Sequence, residues 1–253
     1  MSDLRRHSRQ VVLPEVGVAG QELLRDSSVL VVGVGGLGSA AALYLASAGI
    51  GRLVIADRDR VEASNLQRQI LYTEADVGRR KLDAAAARLR AQDAALTVET
   101  LDGDSELERL PAVIDGVDVV LDCTDNFPSR FALNRLCLVA RRPLVSGAAI
   151  RLEGQVAAFD LRRGDSPCYA CLYPDAGDAA EACEDAGVLG PVVGVIGACQ
   201  ALLALQLLLG QGDVAGWLQT WDARHSAWRK LRLLQDPGCP HCGQPMSLPG
   251  SKP

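Results

Sequence analysis

The chain has 253 residues, a formal net charge of -5 and a pI near 5.3, which disfavours general binding to nucleic acids or membrane surfaces because both are anionic. Hydrophobic residues make up 48% of the chain and aromatic residues 4%, so an aliphatic core is expected, in one large domain or in one domain with a small appendage. The amino terminus is polar and basic, and the apolar run 198–209 is interrupted by Gln200 and Gln206 and too short to span a bilayer. These features predict a cytoplasmic protein.

The apolar run Ser28–Val32 leads into a glycine-rich turn and a stretch of small residues up to Ala48. This order predicts a buried strand, a tight turn and a helix that begins near Gly36. Free N–H groups and the positive end of the helix dipole favour a bound phosphate there. The next apolar run ends at Asp57, where a carboxylate can bind ribose hydroxyls. The pattern predicts a nucleotide site that fits NAD, FAD or ATP, the alternative being a turn with no ligand.

Strands and helices alternate through the first 150 residues. A polar stretch, Asp59 to Gln69, follows the Asp57 strand at the end where α/β sheets place ligand contacts. The alternation predicts a Rossmann-like, doubly wound and mostly parallel sheet. Besides the elements above, the predicted ones are a helix at 21–25, a strand at 52–56, a helix opened by 76–81 that runs to 90, a strand at 96–101, a helix at 106–114, a strand at 117–122, a helix at 128–140 and a strand at 143–149.

A polar cluster follows the strand at 117–122. Asp122 and Asp125 lie at or beyond its carboxyl end, close to the crevice that the glycine turn would form. Because carboxylates repel phosphates, an aspartate in this place predicts a Mg²⁺ ion between them. The alternative is that Asp125 and Asn126 cap the following helix, and both roles are compatible.

Beyond residue 150 the pattern becomes antiparallel. A strand at 154–161 is predicted to extend the sheet. A long helix is predicted at 191–209, and a hairpin joins strands at 217–222 and 227–233. The sheet is therefore expected to be parallel in its first part and antiparallel in its carboxyl-terminal extension.

Two Cys-x-x-Cys pairs lie far apart in the chain, Cys168 with Cys171 and Cys239 with Cys242. Four thiolates on two knuckles are the ligand set of a closed, structural zinc site. The separation of the pairs predicts a zinc ion that ties the carboxyl-terminal tail to the body of the protein. His241 adjoins a ligand and is not expected to be one, and two unrelated free or redox pairs are the alternative.

The remaining cysteines fall into two groups. Cys183 lies in a polar stretch, 172–190, that is predicted to be a loop, where a thiol is either incidental or a nucleophile. Cys123, Cys137 and Cys199 lie in apolar runs and are predicted to be buried packing residues.

Taken together, these motifs resemble the bacterial ThiF/MoeB/HesA family, relatives of the ubiquitin-activating enzymes that adenylate small ubiquitin-like sulfur carrier proteins. The resemblance covers essentially the whole chain, and the motifs occur in a fixed order. They are Ser8-Arg9-Gln10, Gly33-Val34-Gly35-Gly36-Leu37-Gly38, Ser64-Asn65-Leu66-Gln67-Arg68-Gln69, Lys81, Asp122-Cys123-Thr124-Asp125-Asn126, both Cys-x-x-Cys pairs and the stretch Gly187 to Gly197.

The resemblance implies that the C-terminal Gly-Gly carboxylate of a ThiS-type or MoaD-type carrier attacks the α-phosphate of ATP. The products are a carrier acyl-adenylate and pyrophosphate, and the step activates the carrier for sulfur transfer in thiamine or molybdopterin biosynthesis. A carboxylate is already ionised at pH 7, so no general base is needed. Catalysis must come from alignment of the reactants and from neutralisation of charge on the triphosphate.

The resemblance also implies a role for each matching residue. Arg9 would reach the phosphates in the partner subunit of a homodimer, and Cys183 matches a loop cysteine that forms a persulfide or acyl link to the carrier in the thiamine branch. The positions implied to bind ATP or its Mg²⁺ are Gly36, Asp57 at the ribose, Ser64, Asn65, Leu66, Gln67, Arg68, Lys81, Asp125 as the Mg²⁺ ligand, and Asn126.

The motifs divide between the two branches of the family. The segments 189–194 and 226–229 are closer to the thiamine type, whereas 145–155 is closer to the molybdopterin type. The thiamine type is favoured slightly. The chain stops soon after Cys242, without the rhodanese-like domain of some relatives, so a separate sulfurtransferase or cysteine desulfurase is expected to supply the sulfur.

The resemblance predicts one adenylation domain over 1–253, with a nucleotide-binding core at about 27–150, a carrier-binding and zinc-bearing part at about 151–245 and a tail at 246–253. Two other functions fit some of the residues. An NAD-dependent dehydrogenase accounts for the glycines and Asp57 but leaves Arg68, Lys81 and Asp125 unexplained. A non-enzymatic zinc-ribbon adaptor accounts for the cysteines alone.

Overall fold

The computed structural model describes residues 5–173 and 187–243, which contain an eight-stranded sheet in the order β3-β2-β1-β4-β5-β6-β7-β8. The first five strands in this order are parallel, and β6, β7 and β8 continue the sheet in antiparallel fashion. The strands are β1 (Ser28–Val32), β2 (Arg52–Asp57), β3 (Thr97–Asp102), β4 (Val119–Asp122), β5 (Leu144–Ile150), β6 (Glu153–Phe159), β7 (Trp217–Asp222) and β8 (Ala227–Arg232).

Helices cover both faces of this sheet, which confirms the predicted doubly wound class. The helices are α1 (Ser8–Val11), α2 (Gly17–Asp26), α3 (Gly36–Ala48), α4 (Lys81–Gln92), α5 (Leu110–Asp115), α6 (Phe127–Ala140), α7 (Tyr169–Leu172) and α8 (Gly190–Leu208), with short 3-10 turns at Ala63–Asn65, Glu74–Asp76 and Leu107–Arg109. One hydrophobic cluster joins the sheet to α3, α4 and α8, and a second joins it to α5, α6 and α7.

The central strands are held by apolar side chains on both faces. In β1, Val29, Leu30 and Val31 are fully buried, and Val31 pairs with Ile55 of β2 and with Leu121 of β4. Each fully buried side chain of this size stabilises the fold by about 1.5–3 kcal/mol. The carboxyl ends of β1, β2 and β4 therefore lie side by side at one edge of the sheet, where the following loops meet.

By length and composition alone, the helix α8 could cross a membrane. The apolar run 198–209 taken by itself is too short to do so. It begins at Gly190, so it is longer than that run. Half of its apolar window is buried inside the protein, where it packs against α3 and against β5 and β6. These contacts identify α8 as a core helix of the fold.

Gly36, the first residue of α3, lies directly against α8. A Cβ atom at this position would be 2.9 Å from Cγ2 of Val193, closer than two carbon atoms normally approach. We expect Gly36→Ala to lower the free energy of unfolding by about 1–3 kcal/mol, the usual effect of overpacking. In denaturant titrations the double variant with Val193→Ala should be more stable than the sum of the two single effects predicts. Strict additivity would contradict this contact.

Candidate functional site

A cavity of about 1190 Å³ opens at the carboxyl ends of the parallel strands. It exceeds the range of about 300–1,000 Å³ that is typical of small-molecule pockets. At one end it is lined by the glycine turn, by residues that follow β2 and by residues that follow β4. At the other end it is lined by β6, β7 and β8. Residues at the first end include Gly35, Gly36, Asp57, Arg68, Lys81, Asp125 and Asn126, and those at the second include Glu153, Gln155, Thr220, Trp221 and Arg229.

The glycine turn is fixed by side chains from elsewhere in the chain. The Val34 N–H donates to a carboxylate oxygen of Asp57 at 2.8 Å, and the Val34 carbonyl accepts from the Tyr72 hydroxyl at 2.9 Å. Burial, with the nearby Asp57 charge, raises the pKa of Tyr72, so its hydroxyl stays a donor. Gly33 has φ of +87°, a conformation that glycine adopts without strain. The turn is thus held in one conformation before any ligand binds.

The amino terminus of α3 is open to the cavity. Its N-cap, Gly35, makes no side-chain cap, and Gly35, Gly36 and Leu37 all line the cavity. A Cβ at Gly35 would meet only Gln69, at 3.7 Å, so the backbone there is accessible from the cavity. The first N–H groups of a helix have no intrahelical partner and carry the positive end of the dipole. This arrangement is suited to an anion such as a phosphate.

Asp57 lies at the end of β2 and faces the same cavity. Its carboxylate accepts three backbone N–H bonds, from Val34, Arg58 and Asp59, at 2.8–2.9 Å. A carboxylate has about four acceptor positions, which leaves capacity for a further donor. The carboxylate therefore holds the glycine turn and can still accept a hydroxyl from a ligand.

Two cations lie beside the glycine turn. Lys81 is the first residue of α4 and is 5% exposed, and its Nζ is 2.8 Å from a carboxylate oxygen of Asp59. Arg68 is half-buried and donates to the Ser64 carbonyl at 3.1 Å. A buried ammonium at a helix amino terminus is unfavourable unless an anion compensates it. Asp59 supplies one negative charge, and a phosphate in the cavity would supply more.

The polar residues at the end of β4 and just after it differ in their surroundings. The Asp122 side chain is fully buried and accepts from the Thr124 hydroxyl at 2.6 Å and the Ser146 hydroxyl at 2.7 Å. Asp122 lies at the carboxyl end of β4, as predicted, but its carboxylate holds the strand ends together and does not line the cavity. Asp125 is exposed and lines the cavity, while Asn126 caps α6 by accepting from Ser129 N at 2.9 Å. The cap leaves the Asp125 carboxylate open to a cation.

Several predicted site residues lie elsewhere. Ser64, Asn65 and Leu66 do not line the cavity, and the Asn65 side chain accepts from the Glu62 N–H at 3.2 Å within the turn. Arg9 is exposed on α1 and does not line the cavity of its own chain. Cys183 is outside the described residues. The roles of these residues, like those of the cavity residues, stay predictions.

Two further buried polar residues line the cavity, although the motifs imply no role for either. Gln69 is 4% exposed and lines the cavity, and its Oε1 atom is buried without a hydrogen-bond partner among residues 5–173 and 187–243. Arg130 also lines the cavity and donates to the Thr124 carbonyl at 2.8 Å. Burial lowers the pKa of Arg130, but Asp122, Tyr169 and Tyr173 together outweigh burial, so the pKa is raised. In the sequence, Gln69 is marked as the last residue of the motif 64–69, whereas no motif marks Arg130.

The two Cys-x-x-Cys pairs come together as one cluster. Their four Sγ atoms lie within 4.8 Å of one another. Cys168 Sγ is 3.7 Å from Cys239 Sγ, and Cys171 Sγ is 3.4 Å from Cys242 Sγ. Tetrahedral zinc with Zn–S bonds of about 2.3 Å requires sulfur atoms about 3.8 Å apart. The cluster therefore fits a zinc ion, and two unrelated pairs are excluded.

Three cysteines outside the cluster lie in the part of the chain that the structure describes, and they are packing residues, with one difference from the prediction. Cys123 and Cys137 are buried, whereas Cys199 is only half-buried. Burial, together with the Asp122 charge, raises the pKa of the Cys123 and Cys137 thiols. We expect neither to react with iodoacetamide in the folded protein at pH 8, because the thiolate is the reactive form. Peptide mass spectrometry would check this, and rapid labelling of Cys123 under native conditions would contradict the structure.

Comparisons with known proteins agree with this geometry. The ThiF family model matches residues 7–241. The chain is 46% identical to the molybdopterin-synthase adenylyltransferase of Escherichia coli, over 96% of this chain and 97% of that protein. It is 44% identical to the sulfur carrier protein ThiS adenylyltransferase of the same organism, over 95% and 96%. It is also 44% identical to the adenylyltransferase and sulfurtransferase MOCS3 of Anopheles gambiae, but spans only 56% of that protein.

Solved structures share the fold at lower identity. A structure of Escherichia coli MccB with MccA-N7isoASN matches with a TM-score of 0.83 and 21% identity, over 94% of this chain and 75% of that one. A structure of PaaA matches with a TM-score of 0.79 and 21% identity, over 92% and 84%. With a family match over almost its whole length, the chain belongs to the ThiF family.

Proposed function

We propose that the protein uses ATP to adenylate the C-terminal Gly-Gly carboxylate of a small ubiquitin-like sulfur carrier of the ThiS or MoaD type. One observation carries this conclusion: a single cavity joins an open helix amino terminus with Lys81, Arg68 and Asp125 to a second region walled by β6, β7 and β8. Its size accommodates a nucleotide and the end of a peptide together. The relatives named as adenylyltransferases support the same reaction.

The cavity residues account for the reaction by position and charge. The open N–H groups at Gly35 and Gly36, with Arg68 and Lys81, would bind the triphosphate, and Asp57 would accept a ribose hydroxyl. Attack by the carrier carboxylate forms a bond to the α-phosphorus and releases pyrophosphate. Negative charge accumulates on the leaving group in this step, and fixed cations and backbone dipoles stabilise it without reorganisation.

Asp125 would hold Mg²⁺, assisted by the neighbouring Asn126, whose Nδ2 donates to Asp125 at 3.2 Å. The ion would neutralise phosphate charge. Ser64, Asn65, Leu66 and Gln67 are proposed to support the phosphate-binding turn. These assignments give roles to Arg68, Lys81 and Asp125, whereas a dehydrogenase needs neither the cations nor Asp125.

Zinc is proposed to bind Cys168, Cys171, Cys239 and Cys242 as a structural ion. With four thiolate ligands, no coordination position is open to a substrate. The ion would tie the segment around Cys239 to α7. The proposal of a single domain over 1–253 is supported by the sheet, which continues without a break from β5 to β8.

The protein is proposed to act as a homodimer in the cytoplasm. Arg9 does not line its own cavity, which supports its predicted reach into the partner's site. Exposed apolar side chains on or near the amino-terminal helices, such as Val12 at 71% and Val18 at 48%, also support a partner there. A separate sulfurtransferase or cysteine desulfurase and a covalent role of Cys183 stay predictions.

The branch can be decided by offering purified ThiS and MoaD separately in an ATP–pyrophosphate exchange assay. Identities of 46% and 44% to the two Escherichia coli relatives do not separate the branches. Exchange with one carrier names the branch, with Cys183→Ser then tested in the later sulfur transfer. No exchange with either carrier, although both are active with their own enzymes, would contradict the proposed substrates.

A further inference from the structure

Asn134 lies in the middle of α6 and is fully buried next to the cysteine cluster. Its Nδ2 donates to Cys168 Sγ at 3.5 Å and lies 3.0 Å from His241 Nδ1. Its Oδ1 accepts from the Tyr169 N–H at 2.9 Å. Both hydrogens of the amide and one acceptor position are thus used at the cluster.

These contacts leave one orientation for the amide. In the flipped orientation the carbonyl oxygen would face the Cys168 sulfur, and the NH₂ group would face the N–H of Tyr169. Both contacts would be repulsive, so the bonds to Tyr169 and Cys168 fix the amide together. A donor directed at a metal-bound thiolate lowers its charge and orients it, as outer-shell partners do in metal sites.

Asn134 differs from the other hydrogen-bond donors to the cysteine sulfur atoms. Cys171 Sγ accepts from the backbone N–H groups of Cys168 and Asp236, at 3.5 and 3.4 Å. Those donors belong to the knuckles themselves. Asn134 comes from a helix that precedes both knuckles in the chain, and it contacts the first through Cys168 and Tyr169 and the second through His241.

The same helix leads to the nucleotide end of the cavity. It begins at Phe127, about 10 Å along the axis from Asn134 at 1.5 Å per residue. Aromatic rings pack along the same side of the helix. The ring centroids of His241 and Phe131 are 5.8 Å apart, and those of Phe131 and Phe127 are 6.2 Å apart. Phe127 lines the cavity, so the metal cluster and the cavity wall share one rigid element.

We infer that Asn134 is a positioning residue for the zinc site, which joins both cysteine knuckles to α6 by donating to the Cys168 thiolate and to His241. The inference depends on the zinc ion proposed above and is independent of the carrier. It is specific to an amide: a carboxylate of the same shape would place negative charge beside four thiolates. A leucine would remove both the acceptor for the Tyr169 N–H and the side-chain donor to the Cys168 sulfur.

The test compares the full chain with Asn134→Asp and Asn134→Leu. Zinc affinity is measured by competition with a chromogenic chelator, and the sulfur-to-metal charge-transfer band is recorded after Co²⁺ replacement. We expect both variants to bind zinc about 10–100-fold more weakly, the aspartate more so, and to shift the band. Leu133→Ala is the matched control: it removes a buried side chain from the same helix and should lower Tm while leaving the band unchanged.

The zinc site and the role of Asn134 can each be contradicted by a different result. A parent protein that binds no zinc overturns the metal assignment itself. A parent that binds zinc, with both Asn134 variants within twofold of its affinity and with an unchanged band, overturns the role of Asn134. If a variant is unfolded as purified, excess Zn²⁺ should restore the fold by mass action. Failure to refold at any zinc concentration would mean that Asn134 serves the fold and not the metal.

Discussion

Asp125→Ala is expected to lower the rate of carrier adenylation by about 10²–10³-fold in a protein that stays folded, the effect of losing one fixed electrostatic contact in an active site. The carboxylate is exposed in the cavity, and Asn126 rather than Asp125 caps α6. Truncation therefore removes the proposed Mg²⁺ ligand and leaves the helix start intact. Pyrophosphate exchange at saturating ATP, together with the Tm, measures both consequences.

Asp115→Ala is the control for this result. Asp115 is an acid with a 76% exposed side chain that lies outside the cavity, with Arg142 at 3.8 Å. Its loss changes the net charge by the same amount and should leave the exchange rate within twofold. Near-normal turnover of Asp125→Ala would refute the Mg²⁺ role, and a large fall in Tm would show that Asp125 is needed for folding.

Cys239→Ser is expected to release the zinc and to destabilise the whole fold. Cys239 is fully buried in the cluster, and a structural zinc site contributes its binding free energy to folding. Loss of such a site belongs to the mutations that cost about 4 kcal/mol or more, which corresponds to a fall in Tm of about 8–16 °C for a protein of this size. Metal analysis and thermal unfolding check the two effects.

Cys199→Ala serves as the matched cysteine control, since Cys199 is half-buried and outside the cluster. This variant should keep the full zinc content, and its free energy of unfolding should fall by about 1 kcal/mol, the typical effect of a point mutation. If Cys239→Ser kept both the zinc and the Tm of the parent, the structural role of the metal would be ruled out.

Local patterns predicted most of the fold. The prediction of an apolar strand, a glycine turn and a helix of small residues around Gly36 depends only on residues that are neighbours in the sequence. The structure confirms it. The long helix predicted at 191–209 is also confirmed, as α8. The run 198–209 considered alone is too short to cross a membrane, whereas the complete helix is long enough. Only its packing against α3 and the sheet identifies it as a core helix.

The site was predicted less completely because its contacts join distant segments. Asp122 and Asp125 look alike in the sequence, yet one is buried and the other lines the cavity. The side chain of the last residue of a strand can point to either face of the sheet. A hydrogen bond from the Ser146 hydroxyl holds the Asp122 carboxylate in the interior. Asn134 is 34 residues from Cys168. The only local signal for it is a polar residue on the buried face of α6, where a metal cluster supplies the partner.

The expected product of this protein is a carrier whose terminal carboxylate is joined to AMP, and the mass of the carrier shows whether it forms. An intact ThiS-type or MoaD-type carrier is incubated with the enzyme and Mg-ATP beside the same carrier lacking its last glycine, and both are weighed by mass spectrometry. We expect the intact carrier alone to gain the mass of one AMP residue, with release of pyrophosphate. Formation of ADP without any carrier adduct would rule out carrier adenylation.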